Sequence, residues 1–71
     1  MFKKGLYRHF KGGKYEVIDV VKHSEDESTL VLYRPLYGEK TLWVRPYDMF
    51  FEKVELESGT VERFSFVSTT L

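Results

Sequence analysis

Short runs of alternating apolar and polar positions, broken by turn residues, fill this chain from end to end. Leu6-Tyr7-Arg8-His9-Phe10 reads as a first strand, and Gly12-Gly13 as the turn that closes it. The longest run, Tyr15 to His23, puts Tyr15, Val17, Asp19, Val21 and His23 on one face and Glu16, Ile18, Val20 and Lys22 on the other. Both faces are partly apolar, as in a bent strand that serves two sides of a small barrel. Ser24-Glu25-Asp26-Glu27 is an acidic turn. Ser28–Arg34 and Lys40–Arg45 form the next strand pair around Tyr37-Gly38-Glu39. A third hairpin joins Glu52–Glu57 to Val61–Val67 through Ser58-Gly59-Thr60.

Helical period is missing over any useful length. The exception is one turn after Pro46, Tyr47-Asp48-Met49-Phe50, where proline suits a helix start. Tyr33-Arg34-Pro35 and Val44-Arg45-Pro46 echo one another, but too briefly to be a repeat. They read as two strands that meet proline, which cannot donate to a central ladder. The expectation is an all-β fold: a small five- or six-stranded SH3-like barrel with at most one short helical turn. It forms a single domain over residues 1–71, with 68–71 as a frayed tail.

The residues quoted next resemble a bacterial family known as domain of unknown function 1653. They are Tyr7-Arg8-His9-Phe10-Lys11-Gly12-Gly13-Lys14-Tyr15, His23-Ser24-Glu25, Val31-Leu32-Tyr33-Arg34-Pro35-Leu36-Tyr37, Trp43-Val44-Arg45-Pro46 with Phe50 or Phe51, and Arg63-Phe64. The likeness covers residues 5–64, and the tail after Phe64 departs from it. It implies a small β-barrel found alone or attached to other domains. It carries no assigned activity, so no functional residue is transferred.

Composition narrows the function. A chain of 71 residues without cysteine has no disulfide or thiolate metal site to staple it, so packing must hold it, and aromatics at 17% supply the area. No apolar run approaches a membrane span, and no apolar leader follows the N-terminus, so a cytoplasmic location is expected. Net charge is zero, though residues 1–24 carry +4 and the remainder −4. A neutral body attracts polyanions weakly at long range, which argues against nucleic acid as partner.

Candidate chemistry is sparse. His9 and His23, with the acids at 25–27, lack the spacing of a metal site, and no cofactor is implied. No nucleophile elbow or phosphate loop occurs, and Lys11-Gly12-Gly13-Lys14 reads as a hairpin turn before it reads as an anion cradle. An enzyme is not expected.

The most informative cluster is aromatic and cationic. A two-residue turn at Gly38-Glu39 would pair Tyr37 with Lys40, Arg34 with Trp43 and Leu32 with Arg45, so that Arg34, Trp43 and Arg45 share a face. A loop one residue longer sets Trp43 opposite Tyr33 instead and dissolves the cluster. In a structural reading Trp43 is core and the arginines pair with acids such as Asp48. In a functional one Trp43 and Arg45, with Arg34, Tyr33 and Tyr37, form a platform for a protein segment, or more weakly for single-stranded nucleic acid. The overall expectation is a non-enzymatic interaction module. Its alternative is a small enzyme or anion-binding protein using His9, His23 and a carboxylate. The two are separated by whether those histidines meet at one pocket. Neither partner identity nor oligomeric state is legible in the residues.

Overall fold

A computed structural model describes residues 2–71. Its first hairpin joins β1 (Gly5–His9) to β2 (Lys14–Lys22), with Tyr7 opposite Tyr15 and Arg8 opposite Lys14. Two backbone bonds close the turn between them, His9 N–H to Gly13 O and Gly12 N–H to His9 O, each 2.7 Å. β2 then pairs antiparallel with β3 (Thr29–Pro35), and β3 with β4 (Trp43–Pro46).

A bulge in β2 corrects the simple alternation expected there. Val17 pairs with Tyr33 and Asp19 with Leu32, so one extra residue enters the ladder at Ile18. Past that point the faces exchange: Val20, not Val21, joins Tyr15 and Val17 on the buried side. The Asp19 carboxylate accepts a hydrogen bond from the Val20 N–H at 2.8 Å and meets Lys4 Nζ at 3.3 Å, which secures the kink. A bulge bends its strand and strengthens local twist. This is the physical source of the two half-apolar faces.

The third hairpin also differs from expectation. β5 (Lys53–Leu56) pairs with β6 (Gly59–Glu62) as a separate two-stranded ribbon, from Lys53 opposite Glu62 to Leu56 opposite Gly59. The chain then turns at Arg63, and β7 (Phe64–Ser68) pairs with β1 instead. Arg63 fixes this corner with its main chain as well as its side chain. Its N–H donates to Glu52 O (3.0 Å), its carbonyl accepts from Phe10 N–H (2.9 Å), and its guanidinium holds Glu52 Oε1 at 2.7 Å. Ser68 lies opposite Leu6, so ordered pairing reaches one residue into the tail expected to fray.

The result is mostly β and antiparallel: a five-stranded sheet in the order β4-β3-β2-β1-β7 beside the β5-β6 ribbon. Seven strands are formed among the described residues, against the five or six expected, and no ladder joins β4 to β7. The sheets are therefore not closed into a barrel by hydrogen bonding. One helical turn, α1 (Tyr47–Phe50), follows β4 as expected, with Pro46 at its N-cap. No helix among the described residues is long and apolar enough to cross a membrane.

Tyr7, Val17, Val31, Tyr33, Phe50 and Phe64 make the core on one face of the sheet. Phe50 from α1 lies flat on Phe64 from β7, centroids 4.1 Å apart and planes within 3°. Tyr33 and Tyr7 meet Phe50 edge-on at 5.3 and 5.8 Å. Such large rings supply the apolar area that a chain this short needs.

Candidate functional site

β3 and β4 decide what becomes of the aromatic and cationic cluster. Seven residues, 36–42, connect the two strands, and Gly38 (φ +64°) and Lys40 (φ +55°) both take left-handed backbone conformations. No two-residue turn forms and β4 begins at Trp43 rather than Lys40. The register sets Trp43 opposite Tyr33 and Arg45 opposite Val31. Arg34 is thereby excluded: it lies on the other face of the sheet, opposite Glu16, with Nε 3.4 Å from the Glu16 carboxylate. Trp43, Arg45 and Tyr33 keep a common face.

These three residues differ sharply in environment. Tyr33 is buried between Tyr15, Phe50 and Phe64 and belongs to the core. Trp43 is not core: 56% of it is exposed, and it enters no aromatic pair among the described residues. Leu42 and Val44 beside it are about equally exposed, and among the described residues the strand has no neighbour on its outer edge.

Arg45 crosses the core face and sets its guanidinium over the Phe64 ring, 5.8 Å from the centroid. A cation so placed gains roughly 0.5–2 kcal/mol, more as water is excluded. Its Nε is buried without a hydrogen-bond partner, and among the described residues no carboxylate, Asp48 included, comes within ion-pair distance. A buried N–H left unmatched costs about 1–3 kcal/mol. The other two half-buried arginines face carboxylates, Arg34 with Glu16 and Arg63 with Glu52, although the Arg34 Nε is likewise buried without a hydrogen bond.

Around Arg45 the structure gathers residues that sequence spacing did not single out. Phe64 is flanked by His9, its partner in the β1–β7 ladder, at 4.9 Å, and by Tyr15 at 5.2 Å. Tyr15 and Tyr37 share a hydroxyl–hydroxyl hydrogen bond of 2.8 Å, and their rings meet edge to face at 5.9 Å. That bond, aided by burial, pushes the Tyr15 phenol up to about 12. Tyr37 itself remains more than half exposed. Tyr15 could have been found from its place two residues before Val17 on the core face. Phe64 could not, because nothing local announces that residues 64–68 pair with 5–9.

The two histidines do not meet. His9 ends β1 beside the Gly12-Gly13 turn, whereas His23 follows the far end of β2, on the order of 30 Å away along the strand. The His9 Nδ1 accepts the Lys11 N–H at 3.2 Å, so its neutral form carries the proton on Nε2. Burial, then the positive charges of Arg63, Arg45 and Lys11, hold its pKa below the ordinary 6.5. His23 caps the acidic turn: its Nδ1 accepts the Glu25 N–H at 3.1 Å, and Asp26 Oδ1 lies 3.6 Å away. Among the described residues no group of three or more histidines and carboxylates converges as metal ligands would.

Two clefts also open on the surface, the second of them reaching the Tyr7 and Phe64 rings. One of about 440 Å³ runs between Ser28, Thr29 and the Pro46-Tyr47-Asp48 corner, and one of about 280 Å³ lies between Lys3, Phe51, Glu62 and Phe66.

Residues 5–66 match the family model described as Protein of unknown function (DUF1653). A crystal structure of a protein belonging to DUF1653 from Bordetella bronchiseptica is similar over 93% of this chain and 87% of that one. Its identity is 29% and its TM-score 0.86. No curated protein matches the chain.

Proposed function

The chain belongs to the DUF1653 family, and we propose that it is a non-enzymatic interaction module, an SH3-like curled sheet that takes a protein segment across Tyr37, Trp43 and Arg45. The observation that carries this reading is the exposure of Trp43. A chain short of apolar area leaves its one tryptophan on the surface, between exposed Leu42 and Val44, on a strand with a free edge. Exposed apolar side chains at a sheet edge mark interaction sites, and a free edge offers main-chain groups to an added strand. Buried Tyr33 lies opposite Trp43 in the ladder, while Arg34, on the other face of the sheet, plays no part in the platform.

A protein segment suits the surface better than nucleic acid because the chain is neutral overall. The separation of His9 from His23 along β2 speaks against a shared catalytic pocket for the two. The test is capture from the native cell extract by the intact chain and by Trp43→Ala and Arg45→Ala. Both variants should melt near the parent and lose the captured protein. Capture that survives both substitutions would place the interaction elsewhere and end this reading.

A further inference from the structure

Arg45 is the one half-buried arginine whose charge has no carboxylate among the described residues. Its Nε is shut away from water with nothing to bond, while the residue as a whole is only half-buried. The guanidinium is held by the Phe64 ring beneath it, and His9 and Tyr15 close on that ring from two sides. The Arg34 Nε is buried and unbonded as well, so what sets Arg45 apart is that its charge, unlike that of Arg34, has no carboxylate beside it among the described residues. The charges that act on His9 at this spot are all positive: Arg63, Arg45 and Lys11. Arg63 already holds Glu52, and Lys11 lies near the exposed turn, its Nζ 5.8 Å from the Phe10 ring centroid.

We propose that Arg45, seated over Phe64 beside His9 and Tyr15, is a carboxylate-binding site that receives an acidic side chain of the partner segment. The inference rests on the interaction-module reading and names the chemistry of its ligand. A planar guanidinium presents paired donors that match the two oxygens of a carboxylate, and a held guanidinium loses less freedom on binding. The unpaired edge of β4 runs alongside, and Trp43 stands two residues away on the same face. An extended segment laddered on β4 would thus set one side chain at Trp43 and another at Arg45.

The experiment is a nuclear magnetic resonance titration of the isotopically labelled intact chain at low ionic strength, with hexaglutamate as probe. Hexalysine, inorganic phosphate and oligothymidylate serve as counter-probes. Hexaglutamate should shift the Arg45 Nε–H and the His9 ring signals to saturation, and hexalysine should leave them still. Arg45→Gln should abolish the response in a chain that stays folded at the titration temperature, and Arg45→Lys should weaken it about tenfold by losing the paired donors. Absence of saturable shifts at Arg45, or equal shifts in Arg45→Gln, would overturn the proposal. Tighter binding of phosphate or oligothymidylate at the same signals would overturn it in favour of a free-anion or nucleic-acid site. Partner capture that persists without any hexaglutamate response defeats the carboxylate assignment alone. A hexaglutamate response without Trp43-dependent capture defeats the module reading alone.

Discussion

Phe50 and Phe64 stack face to face at 4.1 Å, and they come from elements that share no hydrogen-bonded ladder, α1 and β7. Both are essentially inaccessible to solvent, at 0% and 2%. The contact ties the helical turn after Pro46 to the strand that closes onto β1. Phe64 also carries Arg45, His9, Tyr15 and Tyr33 against it, so the core and the candidate site share one ring.

Phe64→Ala should therefore cost about 3–5 kcal/mol, most of what holds so small a chain folded. The milder Phe64→Leu should retain the fold with a lowered melting temperature. Circular dichroism melts decide the matter. If Phe64→Ala unfolds within a few degrees of the parent, the stacked pair is not the centre of the core.

Trp43 gives the opposite expectation. As a core residue it would cost about 3–5 kcal/mol on truncation, whereas an indole more than half exposed should cost within about 1 kcal/mol as alanine. Urea denaturation measures the difference. Acrylamide should also quench Trp43 fluorescence readily in the folded protein, and strong protection would show the indole to be packed.

Gly5 makes a sharper test of backbone geometry. It has φ +134°, and a Cβ there would run into the Ser68 carbonyl oxygen, where β7 shifts register against β1. Gly5→Ala should lose more than about 1 kcal/mol. Gly12 (φ +110°) has open space around it, so Gly12→Ala carries the backbone strain without the contact and should cost less. Equal losses in the two variants would remove Ser68 from the explanation.

His9 should give stability a pH dependence of known sign. Burial first, and then Arg63, Arg45 and Lys11, lower its folded pKa below 6.5, so the unfolded chain binds the proton more tightly. That stability is fully present above the unfolded pKa and is lost as pH falls through the folded one. Asp19 and Asp26, held below 3.8 mainly by backbone N–H bonds from Val20 and Ser28, act at lower pH. The melting temperature should fall from about pH 7 to about pH 5, and His9→Gln should flatten that slope. An unchanged slope in the variant would assign the dependence to other groups.

What the amino-acid order determined by itself is local. Period-two runs rich in Val, Ile, Tyr and Phe read as strands because branched and aromatic side chains fit a pleated surface. Gly12-Gly13 closed the first hairpin, and Pro46 opened the helical turn at Tyr47–Phe50. All of these rest on backbone preferences that act over a few residues.

Tertiary structure decided everything that depends on which strand meets which. The extra residue at Ile18 exchanged the faces of β2, and left-handed Gly38 and Lys40 set the β3–β4 register that separated Arg34 from Trp43 and Arg45. Arg63 divided one expected strand between two sheets, so that residues 64–68 reached residues 5–9 and brought Phe64 under Arg45. A one-residue change in any ladder inverts every side chain beyond it, and local preference hardly discriminates between such registers. Packing of the whole core does, because the arrangement it favours buries Phe50, Phe64, Tyr33 and Val31 together and leaves Trp43 more than half exposed.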